Sequence, residues 1–278
     1  MNDSQQTFPV PVLMYHSVHA DPAPATAGLS VHPAAFAAQL AVLYDMGFTA
    51  ITMAALIGHW RQQATGARPR PLPDRPVVLT FDDGYADFHR TVLPLLAEHR
   101  ATASLYVTTG WLADAGERRA GRPLGEMLSW SQLAEAAAEG VEIGGHSHSH
   151  APLDQLPERL LQRELTLNQE LLEQRLQQPL ATFGYPFGHS DAAVRRAVRG
   201  HGYTGACAVA NTLADPRRQS PYALARLTVR RGTGLDDFCT LVQGRSLLRL
   251  YGRDRLLTRG YALVRHGRRL LVRPAAPA

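Results

Sequence analysis

Two adjacent carboxylates, Asp82 and Asp83, follow the run Pro76-Val77-Val78-Leu79-Thr80-Phe81 and precede Gly84 and Tyr85. The apolar start of that run is short, β-branched and bounded by turn formers, which predicts a buried strand. Gly84 lets the backbone turn directly after it. Like charges side by side repel, and a cation between or beside them changes that balance. An ordinary Asp-Asp-Gly turn is the plainer alternative. A second cluster, His146-Ser147-His148-Ser149-His150, follows a predicted strand at 141–144. His146 and His150 are four apart and can point to one side, on a helical turn or in a tight loop, with His148 directed elsewhere. Two imidazoles and one carboxylate form a three-ligand site with a position left for water, the arrangement of catalytic zinc. The alternative is a polar His-rich loop without metal.

Positioning these groups requires strand ends that converge. The pattern predicts strands at 9–16, 48–52, 103–107, 182–185, 205–209 and near 227–229, besides the two above. Helices are expected between them: from Pro33 to Gly47, 53–63, 86–100, from Trp130 to Gly140, 157–177, 191–200 and from about Asp236. Alternating strands and helices argue a parallel α/β architecture, open or barrel-like, with its chemistry at the carboxyl ends of the strands. Asp82, Asp83, His146, His16 and Pro186 all fall just after predicted strands.

Thr80-Phe81-Asp82-Asp83-Gly84-Tyr85, the 146–150 histidine cluster and Phe183-Gly184-Tyr185-Pro186-Phe187-Gly188 together resemble the signature motifs of the polysaccharide deacetylase family (NodB homology domain, carbohydrate esterase family 4) over about residues 9–240. The resemblance implies a distorted (β/α) barrel of about seven parallel strands. It also implies a divalent metal, zinc first with cobalt, nickel or manganese as alternatives, and removal of N-acetyl groups from amino sugars. Carried over by position, Asp83, His146 and His150 bind the metal and Asp82 is the general base. Tyr185, Pro186 and Phe187 lie at the substrate and oxyanion position, with the backbone N–H near Phe187 as donor. That chemistry suits the residue types, since amide hydrolysis needs a Lewis acid, an activated water and a proton for the departing amine.

The chain departs from the common pattern twice. The region of the usual Leu-x-His motif reads Leu224-Ala225-Arg226-Leu227-Thr228-Val229 and has no histidine. Leu13-Met14-Tyr15-His16 instead resembles the rearranged members that act on poly-N-acetylglucosamine, which makes His16 the expected general acid. The third motif lacks its base-orienting arginine, because Gly184 holds that position, and Arg226 is the candidate substitute. Trp130 and Tyr185 are candidates for stacking on a sugar ring, with core packing as the alternative.

A non-catalytic carbohydrate-binding domain, suggested by the missing arginine, and a hydrolase of another C–N bond, such as a lipid-linked sugar amide, are the competing functions. A phosphatase of the Asp-x-Asp-Gly-Thr type fits poorly, since these carboxylates are adjacent and Tyr85 stands where the threonine belongs.

The 278 residues are 45% hydrophobic and 19% charged, which suits a globular chain. Nine arginines and one aspartate give residues 245–278 a charge of +8, which leaves the remainder mildly acidic within the net +5. The expected organisation is therefore a catalytic domain over 1–244 and a basic extension over 245–278, built of a helix at 247–257 and a hairpin at 261–272. That extension is a candidate for contact with an anionic membrane surface, and the acidic body argues against nucleic acid. Cys207 and Cys239 are expected as buried free thiols. The first residues carry no basic segment followed by an apolar core, so the default expectation is a cytoplasmic chain, membrane-peripheral if the extension meets lipid.

Overall fold

The structure, a computed structural model, describes residues 8–253. In chain order its strands and α-helices are β1 (Val12–Tyr15), β2 (Ser17–Val18), β3 (Ser30–Val31), α1 (Pro33–Asp45), β4 (Thr49–Ile51), α2 (Met53–Ala64), β5 (Pro76–Phe81), α3 (Leu93–Glu98), β6 (Ser104–Val107), α4 (Trp130–Ala138), β7 (Glu142–Gly145), α5 (Glu158–Leu176), β8 (Thr182–Gly184), α6 (Ala192–Gly200), β9 (Gly205–Val209), β10 (Leu224–Thr228) and α7 (Leu235–Val242). Residues 247–253 are also helical.

β5 to β10 pair in parallel, each with the next, and β1 closes the ring by pairing with both β10 and β5. The result is a closed seven-stranded parallel barrel. β4 pairs with only the first half of β5, and β6 takes the second half.

Side-chain alternation separates two apolar regions, as period-two strands in a closed barrel require. Leu13, Tyr15, Leu79, Phe81, Leu105 and Phe183 belong to the large core between strands and helices. Val12, Val78, Tyr106, Cys207 and Leu224 belong to a smaller cluster inside the ring, shared with Met53, Leu56, Ile57 and Trp60 of α2. That helix plugs the amino end of the barrel. Its first amides are held from the barrel interior, Met53 N–H donating to Ser104 Oγ and Ala54 N–H to a Glu142 oxygen, both at 2.9 Å, which satisfies orphan donors of the helix start. The opposite, carboxyl end is left for chemistry.

Three expectations need adjustment. The helix expected over 86–100 opens as a π-helical turn over Phe88–Val92 before α3; Pro94 has no N–H for the regular ladder, and a wider turn accommodates it. β10 begins earlier than expected, so Arg226 lies within the strand and points inward, a placement that a lone arginine in an apolar run conceals. Cys207 is buried, but Cys239 on α7 is only half-buried.

The 247–253 helix packs Leu247, Leu250 and Tyr251 on the main core, and the Tyr251 hydroxyl donates to the Thr228 carbonyl at 2.7 Å. The rest of the expected tail helix, and the hairpin at 261–272, lie outside the described residues. Among those residues no helix is long and apolar enough to cross a membrane.

Candidate active site

β1 and β5 are in register with Tyr15 opposite Phe81, and the Asp82 amide donates to the Tyr15 carbonyl at 3.0 Å. His16 and Asp82 therefore stand side by side, one step past the last paired residues. Asp87 fixes the chain after His16, accepting from Ser17 Oγ at 2.6 Å and Val18 N–H at 3.0 Å. Asp83 turns away from Asp82 because its backbone is left-handed, φ 76°, as is that of Gly84. A non-glycine residue in that region is uncommon, and such strain concentrates at functional sites.

The histidine cluster forms a tight loop, not a helical turn, with Ser147 and His150 at φ 63° and 59°. His146 Nε2 and His150 Nε2 lie 3.3 and 3.2 Å from the same Asp83 oxygen, Oδ1. His146 Nδ1 sits 2.7 Å from the Gly184 carbonyl. Because a carbonyl only accepts, Nδ1 carries a proton, and in the neutral ring Nε2 presents its lone pair toward Asp83. Asp83 Oδ1 is buried without a hydrogen-bond partner. One ligand atom from each of the three residues lies within 4.8 Å of the others. Buried lone pairs facing one another call for a cation, and an oxygen with two imidazole nitrogens is a donor set suited to zinc.

The loop is clasped by α5. Glu164 accepts from the amides of His148 and Ser149 and from Ser149 Oγ, at 3.0, 2.7 and 2.7 Å. One turn on, buried Asn168 donates to the carbonyls of Val107 and Ser147. His148 points away from the cluster, to Thr109 Oγ1 at 2.9 Å. Neither residue was singled out from the sequence, where 157–177 is only an expected helix. Their spacing of four, on the helix that follows the loop, was the available signal.

Arg226 enters from β10, fully buried, and makes two parallel bonds to Asp82: Nη1 to Oδ1 at 2.6 Å and Nη2 to Oδ2 at 2.8 Å. Burial pushes the Asp82 carboxyl up, and the Arg226 charge, the neighbouring His146 and the Arg226 hydrogen bonds together more than reverse this, so it titrates below its usual range. Burial pushes the His16 imidazole down, and the nearby carboxylates of Asp83 and Asp82 only partly offset it.

A cavity of about 710 Å³ opens over these groups, with His16, Asp82, Asp83, His146, His150 and Phe187 in its lining. Phe187 is 55% exposed at φ 58°, its ring edge-on to His150 at 4.6 Å. Trp111, also missed from sequence, lies beside His150 with ring centroids 4.7 Å apart. Tyr185 is a correction. It is fully buried, its hydroxyl donates to the Tyr222 carbonyl at 2.9 Å, and it is absent from the cavity lining. The alternation in β8 that sends Gly184 inward sends Tyr185 out to the helical layer. Pro186 is buried and also off the lining. Trp130 begins α4, where Arg175 lies over its ring at 5.4 Å; it is core-facing rather than a sugar platform.

Residues 70–206 match the polysaccharide deacetylase family model. The YxkH protein of Bacillus subtilis, named for the same family, is 25% identical over 236 residues, covering 84% of this chain and 76% of that one. The poly-β-1,6-N-acetyl-D-glucosamine N-deacetylase of Escherichia coli is 30% identical over 131 residues, 44% of this chain and only 18% of that enzyme. Among solved structures, the deacetylase PplD of Streptococcus pyogenes superimposes with a TM-score of 0.72 at 23% identity, covering 87% of this chain and 100% of that one; at that identity the likeness establishes the fold. Fold, motifs and family match agree, and the chain carries a polysaccharide deacetylase domain.

Proposed function

We propose that this chain is a divalent-cation-dependent hydrolase that removes N-acetyl groups from N-acetylated amino sugars of an oligo- or polysaccharide. The observation that carries the proposal is the division of the aspartate pair: Asp83 Oδ1 faces two imidazole nitrogens, while both oxygens of Asp82 are held by Arg226. Asp83, His146 and His150 would hold the cation, zinc first among cobalt, nickel and manganese. When bound, it supplies Lewis acidity and lowers the pKa of water at the cavity floor.

The remaining work belongs to the protein. Asp82, kept ionised by Arg226, accepts a proton from the attacking water. His16, beside it at the end of β1, donates a proton to the departing amine nitrogen. The backbone N–H of Phe187 is the proposed donor to the developing oxyanion. The non-catalytic reading was suggested by the missing arginine, and the contact of Arg226 with Asp82 removes that ground. Association of the Arg-rich extension with anionic lipid remains a separate proposal, tested by salt-sensitive liposome binding that is lost on truncation at about residue 245.

The test is acetate release from a panel of N-acetylated glycans, with and without chelator and added zinc. Asp82→Asn and His16→Asn are each expected to lower kcat by about 10²–10⁴-fold without loss of zinc binding. A His16 variant with near-normal turnover would remove His16 from the mechanism, and undiminished activity in chelator would overturn the metal-dependent reading.

A further inference from the structure

The Arg226 guanidinium is buried, yet only part of it is hydrogen-bonded. Nη1 and Nη2 serve Asp82, Nη1 also reaches Thr80 Oγ1 at 3.2 Å, and Nε has no hydrogen-bond partner. What lies beside the guanidinium is the ring of Tyr106, with the ring centroid 5.6 Å from Cζ. Tyr106 points into the barrel from β6, where two glycines make room for it. A Cβ at Gly144 would stand 2.6 Å from the ring, and one at Gly184 2.8 Å from it and 3.1 Å from His146 Nδ1. The far end of the ring is anchored: the hydroxyl lies 3.2 Å from Cys207 Sγ and 3.3 Å from Thr182 Oγ1.

Gly184 is the position from which a motif arginine would be expected to reach the base. Here any side chain from that position would meet Tyr106. The ring blocks the β8 route and underlies the arginine that arrives by β10 instead. A desolvated guanidinium over an aromatic face is attracted by the ring quadrupole. A planar fork already held flat against a ring also has less freedom to lose when it pairs with a carboxylate.

We propose that Tyr106, seated in the space left by Gly144 and Gly184, is a positioning residue that holds the Arg226 guanidinium in its two-pronged contact with Asp82. The proposal rests on the reading of Asp82 as the base. Tyr106 also neighbours His146, with ring centroids 6.5 Å apart, so its action through Arg226 must be separated from any action through the cation site.

The experiment is a double-mutant cycle on the full chain loaded with zinc, scored by acetate release from an N-acetylglucosamine oligosaccharide and, separately, by zinc affinity. Tyr106→Met keeps side-chain bulk and loses the aromatic face, Tyr106→Phe keeps the face, and Arg226→Gln removes the fork; Tyr106→Leu serves if the Met variant does not fold. Tyr106→Met is expected to lower kcat about tenfold at unchanged KM, the scale of a desolvated ring–guanidinium contact. Tyr106→Phe is expected to recover most of that loss. In the Arg226→Gln background, Tyr106→Met should cost less than about twofold, since coupled sites are not additive, and zinc affinity should stay within about twofold of wild type.

A full tenfold loss in the Arg226→Gln background would show that Tyr106 does not act through the arginine. A fall in zinc affinity parallel to kcat would assign its effect to His146. Either result overturns this proposal and leaves the deacetylase reading standing. A wild-type protein that releases no acetate from any glycan ends both.

Discussion

Arg226 reaches Asp82 across an intervening strand. The arginine is on β10, the aspartate directly follows β5, and β1 runs between these strands, paired to both. Bond lengths of 2.6 and 2.8 Å to the two carboxylate oxygens make this a fork contact in a fully buried setting. Removing one partner of such a pair strands the other charge. Arg226→Ala is expected to cost about 3–5 kcal/mol of stability, read as a lower urea midpoint at unchanged m-value. Arg226→Lys should recover much of that loss but little of the turnover, because one ammonium cannot make two parallel bonds. Wild-type turnover in the lysine variant would show that the fork is dispensable.

A cation at Asp83, His146 and His150 would bind the folded chain and not the unfolded one. Zinc at about one hundred times its Kd should therefore add about 2.7 kcal/mol of stability, seen as a rise in Tm. Asp83→Ala and His150→Ala should each abolish that rise. A zinc-dependent shift of undiminished size in either variant would place the ion elsewhere.

Glu164 touches none of the three candidate ligands' ring or carboxylate atoms, yet it holds the backbone between His146 and His150. Glu164→Ala frees two amides and a hydroxyl and lets the loop relax. Zinc affinity is expected to fall by about 10–100-fold, the range for groups that orient metal ligands from behind. Isothermal titration against wild type checks this, and an unchanged Kd would mean that the strained loop holds itself.

Glu142 supplies a pH dependence at the other end of the barrel. Burial raises its carboxyl above the ordinary value, and hydrogen bonds from Ser104, Thr182 and the start of α2 offset only part of this. A folded-state pKa raised above the unfolded one means that the folded chain binds the proton more tightly. The stability this contributes is present below the unfolded pKa of about 4.3 and is lost as pH rises through the folded value. Glu142→Gln should remove that loss. Its stability relative to wild type should be higher at pH 8 than at pH 4, measured by urea unfolding at both. A difference independent of pH would show that the carboxyl titrates normally.

The strand-end logic of the site was legible because each motif sits where an apolar run stops, and the barrel brings those stops to one rim. His16, Asp82, Asp83, His146 and His150 all line one cavity. What escaped the sequence were groups whose partners are distant along the chain. Tyr185 looked like a sugar platform because a strand-end aromatic gives no sign of which face it occupies; one step in the two-residue period decided it. Glu164 and Asn168 were hidden inside a leucine-rich helix whose packing accounts for its pattern. Tyr106 reads as an ordinary strand aromatic until glycines from β7 and β8 and an arginine from β10 surround it. Trp111 needed the loop after β6 to fold back beside His150.

β1 closes the ring, and this orders the events of synthesis. The candidate ligands Asp83, His146 and His150 lie before β8, whereas Arg226 belongs to the last barrel strand, and His16 reaches its place only when the first strand of the chain is enclosed between β5 and β10. A growing polypeptide thus contains all three candidate ligands, and the candidate base Asp82, before it contains the arginine that holds that base. On the proposed reading, the site is whole only once β10 has joined the ring and brought Arg226 to Asp82.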